Sequence, residues 1–234
     1  LDEQQAQAVL QILLPYPELE RGSEYIVASI AKNWPDLAIN FIGDRQALAR
    51  SEDAPPKYDA VPFSVHELKP PLEVVPEKLI TAARHWFDED ERRFQFDGAR
   101  LLSSVFPNLE NRLDELLTSF IVNGDDKDRK FVLEVLSAFE GRECVFQLVR
   151  KVVATVEPES AILGRARVAL DASGVVSGEY GFADLYGARQ ELLKPWLEDP
   201  DEKVQNFAEE HIRKLEAMIA SETRSAETDL AMRR

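Results

Sequence analysis

Residues 196–215, "WLEDPDEKVQNFAEEHIRKL", open on an acidic turn at Asp199 and Pro200, and then set Val204, Phe207, Ala208, Ile212 and Leu215 at spacings of three and four. That spacing places the apolar side chains on one helix face, which has to be buried against another element. Two other stretches share the plan of acidic turn, charged first helical turn and apolar stripe: "FDEDERRFQFDGARLL" (87–102) and "NGDDKDRKFVLEVL" (123–136). Their turn aspartates, Asp90, Asp126 and Asp199, lie 36 and 73 residues apart, so the second interval holds two units. "VEPESAILGRARVAL" (156–170) stands near its middle, with acid and proline in the corresponding place. A period in the mid-thirties to forties with two helices per unit marks stacked helix pairs.

Working outward, strand signals are nearly absent and the chain reads as all-α. The spacing predicts helices over 3–14 (ended by Pro15 and Pro17), 23–34 and 35–50. In the second, Ser23 is the expected cap and Ile26, Val27, Ile30 and Ala31 the buried stripe; Pro35 opens the third, where its missing N–H costs least. Further helices are expected at about 76–87, 91–106, 108–122, 126–140, 143–156, 158–171, 182–196 and 200–230. Residues 51–75 hold five prolines and no sustained period, so they form an irregular connection, either a linker or a strap across a helical surface. Phe63, Val65, Leu68, Leu72 and Val74 favour the strap. The expected organisation is a helical segment 1–50, the Pro-rich connection 51–75, and repeats over 76–234. The last helix is expected to project its distal half beyond the repeats unless another chain, or further C-terminal sequence, packs on it.

At Asp199, Pro200, Val204, Ala208 and Leu215 the sequence resembles a HEAT-like repeat, loosely over 76–220 and well over one unit. The resemblance implies antiparallel helix pairs stacked as a right-handed α-solenoid, with a long C-terminal helix. Gln205 stands where that family usually has a basic residue.

The chain has 234 residues, of which 44% are hydrophobic and 30% charged, enough for one elongated domain or two small ones. Its longest apolar runs, such as "VFQLV" and "KVVATV", are far shorter than the roughly 20 residues of a membrane-spanning helix, and no signal peptide opens it. It begins at Leu1 rather than Met and reads as a piece of a longer protein. The single Cys144 excludes an internal disulfide, reads as a buried inert thiol and suggests a cytoplasmic origin. The net charge of -15 disfavours nucleic acid as a partner, since affinity for phosphates comes mainly from lysine and arginine. "DDKDRK" and "DEDERR" alternate with acids and read as solvated helix starts.

Residues 170–187, "LDASGVVSGEYGFADLYG", hold four of the ten glycines. A phosphate loop needs GxxxxGK[ST]; here Glu179 stands where a cation is required and no lysine follows until Lys194. The GxGxxG spacing fails too. Gly174 is expected to end a helix in a left-handed cap, with Gly178 and Gly181 in a tight turn. The three histidines, His66, His85 and His211, are far apart, and His85 could face acids of the next turn. The pairs Glu89 with Asp90 and Asp125 with Asp126 are read as helix N-termini, where the macrodipole favours acids. Trp34, Trp86, Trp196, Phe87 and Phe106 are read as core. No deep pocket with converging polar groups is expected near Tyr180, His85 or His211.

The expectation is therefore a non-catalytic protein-interaction or scaffold domain of a larger cytosolic bacterial protein, with no cofactor and no metal. Its partner is a protein, either a basic surface or another domain of the same protein, met through Tyr180, Phe182, Tyr186, Ala226 and Leu230; neither nucleic acid nor membrane is a partner. By analogy of fold, an alternative is the C-terminal sensor or regulatory region of a multi-domain NTPase, antiviral ones included. The competing class is an enzyme such as a HEAT-like DNA glycosylase, which the net charge of -15 disfavours.

Overall fold

The computed structural model describes residues 1–61, 65–110, 112–172 and 175–233. Among them the regular elements are all helices, with no strand. The chain divides into two compact units, Leu1–Leu117 and Thr118–Arg234.

The first unit opens with α1 (Glu3–Leu13), α2 (Arg21–Ala31) and α3 (Pro35–Arg50). A capping box starts α1: the Asp2 carboxylate accepts from the Gln5 N–H at 2.8 Å, and the Gln5 side chain accepts from the Asp2 N–H at 3.1 Å. Pro35 occupies the first turn of α3, as the sequence predicts. In α2, Val27, Ile30 and Ala31 are buried as expected, but two details differ. The helix begins at Arg21, before Ser23; Ile26 is 41% exposed, and Glu24 is buried instead. The reason is a polar contact: the Glu24 carboxylate accepts from the backbone N–H groups of Glu67 and Leu68, at 2.8 and 3.3 Å, which turns that face towards the Pro-rich segment.

That segment is packed against the unit. Val65, Leu68 and Leu72 are buried, Val74 is exposed, and Phe63 lies outside the described residues. It also contains a short helix, α4 (Lys69–Glu73), which its prolines concealed; Pro70 stands in its first turn, where no N–H is needed. Arg45, fully buried on α3, holds the segment down. Its guanidinium donates to the carbonyls of Leu14 (3.1 Å), Tyr16 (2.8 Å), Asp59 (2.5 Å) and Ala60 (3.1 Å), while the Tyr58 ring lies 4.4 Å away. Arg100 adds a bond to the carbonyl of Val61 at 2.6 Å.

α5 (Pro76–Glu89) follows, and then a continuous helical run: α6 (Glu91–Phe94), a π-helical turn (Gln95–Ala99) and α7 (Arg100–Val105). α1, α3 and α5 pack in series, and so do α2, α4 and α7. Two such series are compatible with a helical repeat. Trp86, Phe87 and Phe106 are buried, whereas Trp34 is half-buried.

The division between units falls inside α8 (Leu113–Asn123). This helix begins later than the predicted 108 because Leu109 and Arg112 turn the chain at positive φ, 58° and 68°. The second unit continues with α9 (Asp126–Ser137), α10 (Glu143–Thr155), α11 (Ile162–Asp171), α12 (Gly181–Leu193), a 3₁₀ turn (Lys194–Glu198) and α13 (Glu202–Met232). α9 packs on α11, α10 on α11 and α13, and α12 along α13. The acidic turn at Asp199 is tied to α10 by Arg150, whose guanidinium grips both carboxylate oxygens. Gln205 donates to the Asp199 carbonyl at 2.6 Å and so fastens the turn.

α13 has 31 residues, about 46 Å at 1.5 Å each. Its distal half does not stand alone as expected. Ala226 is only 6% exposed, and Arg233 pairs with Glu179 at 2.8 Å, bringing the end of α13 to the turn that precedes α12.

Candidate functional site

Three helices of the first unit converge on an open cleft of about 400 Å³. α1 presents Gln7 and Gln11, α3 presents Asn40 and Asp44, and α5 presents His85 and Glu89. Each pair is four residues apart, so its members stand one above the other on a single helix face. Leu10, Phe41 and Trp86, all buried, close the floor. Gly43 lets α3 approach α5 there: a Cβ at this position would lie 2.8 Å from the Trp86 indole nitrogen.

Among the described residues, no lysine or arginine lines the cleft. Burial pushes the Asp44 carboxyl above its ordinary range. Glu89 accepts from Arg50 at 2.6 Å and lies 3.4 Å from the His85 imidazole, whose side chain is 72% exposed. Among the described residues, the side chains of Gln7, Gln11, Asn40 and Asp44 have no hydrogen bond or ion pair with the rest of the chain. Each carboxamide can both donate and accept, and the carboxylate can accept or pair with a cation. This arrangement suits reversible polar recognition.

The cleft bears on two expectations. Polar groups converge beside His85 in an open cleft, not a deep pocket, because packing brings together three helices that are remote in sequence. Glu89 is not at a helix start; it ends α5, while Asp90 caps the next helix by accepting from the Arg93 N–H at 3.1 Å.

The second unit has a cleft of about 500 Å³, lined among others by Val153, Pro158, Arg167, Lys203, Phe207 and Arg213. Its cations are engaged. Arg167 pairs with Glu210 and lies 5.0 Å from the Phe207 ring centroid. Lys203 donates to the Val156 carbonyl at 3.1 Å, and Arg213 to the Glu209 carbonyl at 3.2 Å.

Of the residues that the sequence singles out for a partner, Tyr180 and Phe182 are 38% and 47% exposed. Phe182 stacks on the half-buried Tyr186, with centroids 6.3 Å apart, and the Arg189 guanidinium lies 5.9 Å from the Tyr186 ring. Ala226 is buried and Leu230 half-buried, so α13 offers less to a partner than its sequence suggests. Gly178 adopts φ of 94° and its carbonyl accepts from the Gly181 N–H at 3.3 Å, which forms the tight turn; Gly174 lies outside the described residues.

His66 is exposed. His211 is buried, stacked on Phe207, with Nε2 3.1 Å from the Asp171 carboxylate. Burial pushes Asp171 up, but contacts with His211 and Lys214 more than offset this and hold its carboxyl below the usual range. Cys144 is half-buried in the first turn of α10, not fully buried. Among the described residues, no group of three or more His, Cys, Asp or Glu side chains is arranged to hold a metal ion, and no helix is long and apolar enough to cross a membrane.

Gln7, Gln11, Asn40 and Asp44 escape a reading of the sequence alone. Their one local signal is the i,i+4 repetition of uncharged or acidic polar groups beside the buried stripes of α1 and α3, which looks like any solvated face. Comparison with known proteins finds no matching family model, no matching curated protein and no matching solved structure.

Proposed function

We propose that the chain is a non-catalytic protein-interaction module, built from HEAT-like helix pairs stacked as an α-solenoid, and that it receives its partner in the cleft on α1, α3 and α5. The supporting observation is unused hydrogen-bonding capacity. Four polar side chains on two neighbouring helices face one cleft without partners in the chain, above a closed apolar floor. Bound groups there would gain bonds without first breaking any within the protein. Acid–base catalysis needs titratable groups held apart in pKa inside a dry site. His85 stands largely in water and its acidic neighbour Glu89 is already paired with Arg50.

The test is selection of a random 12-residue peptide library on phage against the purified chain, with Asn40→Arg and Gln11→Arg as parallel targets. An arginine at position 40 stands four residues before Asp44 and would fill the cleft from within. Peptides enriched on the unmodified chain should bind either variant at least tenfold more weakly. Enrichment of peptides that bind all three proteins equally, or no enrichment at all, overturns the reading.

A further inference from the structure

We infer that the occupant of this cleft is an extended, lysine- or arginine-bearing segment of a partner protein that lies across α1, α3 and α5. The inference rests on the function just proposed and adds the chemistry of the partner.

Charge comes first. The described lining holds Asp44 and Glu89, no lysine or arginine, and the imidazole of His85 beside Glu89, in a chain of net charge -15. Glu89 is already bridged by Arg50, so the carboxylate available to an incoming cation is Asp44. Asp44 is solvent-exposed and has no partner within the chain, so a cation can reach it without displacing an internal contact.

Geometry comes second. Packed helices lie about 8–10 Å apart, and an extended chain rises about 3.3 Å per residue. A segment crossing the three helices would therefore meet a new helix at about every third residue. At α1 it meets Gln7 and Gln11, and at α3 Asn40, carboxamides that complement the N–H and C=O of a peptide unit. An amphipathic helix is a poorer fit, because its apolar face needs open hydrophobic pockets and Leu10, Phe41 and Trp86 are buried. A small amine fits less well too, since well-held small ligands are mostly enclosed and this cleft is open.

The peptides enriched on the unmodified chain, and excluded by Asn40→Arg or Gln11→Arg, provide the test. Their sequences should carry lysine or arginine, and replacing that residue by glutamine should weaken binding at least fivefold. Asp44→Asn should weaken the same peptides about five- to tenfold and flatten their dependence on salt between 50 and 500 mM. N-methylation of a central backbone amide should also reduce affinity. Cleft-dependent peptides that lack basic residues, or that bind as helices by circular dichroism, overturn the inference while the interaction reading stands. Displacement of the peptides by spermidine at submillimolar concentration also overturns it, in favour of a small amine. If no peptide is excluded by the two arginine variants, both readings fall together.

Discussion

In the cleft of the second unit Arg167 is paired with Glu210, Lys203 with the Val156 carbonyl and Arg213 with its own helix; in that of the first unit Gln7, Gln11, Asn40 and Asp44 have no such partners. The better-furnished cleft is also the larger, at about 500 against 400 Å³. Volume therefore ranks them in the wrong order for recognition. In the second unit a ligand that addresses Arg167, Lys203 or Arg213 would have to displace internal bonds of comparable strength. The second unit's cleft also holds unpartnered polar side chains, Glu202, Asn206 and Glu209, so what distinguishes the first unit's cleft is a described lining without lysine or arginine.

The same contrast exists inside the first unit, and breaking it there should have the largest effect. Arg45 uses all three of its guanidinium nitrogens on backbone carbonyls around α1 and the Pro-rich segment, the opposite case from Asn40, five residues earlier on α3. Replacing it by methionine keeps much of the volume but leaves those carbonyls buried without donors. Arg45→Met should cost about 3 kcal/mol or more in urea unfolding, with faster amide exchange over residues 57–61. A loss below about 1 kcal/mol would mean that occupied hydrogen bonds do not separate structural from open sites in this protein.

A smaller effect is expected at Asp199, where Arg150 ties α10 to the turn before α13. The hydrogen bond from Arg150 is the main reason that the carboxyl titrates below its ordinary range. A depressed folded pKa contributes stability that is present above the unfolded pKa, about 3.9, and is lost as pH falls through the folded value. Asp199→Asn should thus lower stability by about 2 kcal/mol at neutral pH, and the difference from the unmodified chain should begin to close below about pH 4. Peptide binding in the first unit's cleft should be unchanged within twofold. A difference that stays constant down to pH 3 would remove the ion pair as its cause.

The contrast also explains what the sequence could and could not reveal. Apolar spacing and punctuation exposed the helices: Pro35 opens α3, Asp125 caps α9, and the turn at Asp199 precedes α13, all local effects of a few neighbouring residues. The failures lie where tertiary contacts override local pattern. Glu24 is buried because it caps backbone N–H groups some forty residues away, and α4 forms among prolines because the segment is pressed onto the unit. The cleft is the extreme case. Its six polar residues belong to three helices, and nothing near Gln7 or Asn40 in sequence distinguishes them from solvated surface. The aromatic group at Phe182 and Tyr186 was legible because large rings beside glycines are conspicuous, but conspicuousness says nothing of what they contact.

The smallest effect on stability belongs to the residue given the largest role in binding. Burial raises the folded pKa of Asp44, so its sign is opposite to that of Asp199: the native state favours the protonated form, and ionisation at neutral pH costs stability. Asp44→Asn should therefore leave stability unchanged or raise it slightly, within about 0.5 kcal/mol, with any gain vanishing below about pH 4. The titratable groups that share the cleft are His85 and Glu89 of α5, the latter bridged by Arg50, while α1 contributes only Gln7 and Gln11. Binding of basic peptides should weaken as pH falls through the Asp44 titration, at higher pH than an ordinary aspartate would give, and Asp44→Asn should lack that step. The decisive comparison is the pH profile of peptide affinity in the unmodified chain, Asp44→Asn and His85→Gln. A step that persists in Asp44→Asn but disappears in His85→Gln would transfer the role from the carboxylate to the imidazole. A step lost only in Asp44→Asn, with stability undiminished, would show that the fold keeps this acid at no structural benefit, as a binding group rather than a structural one.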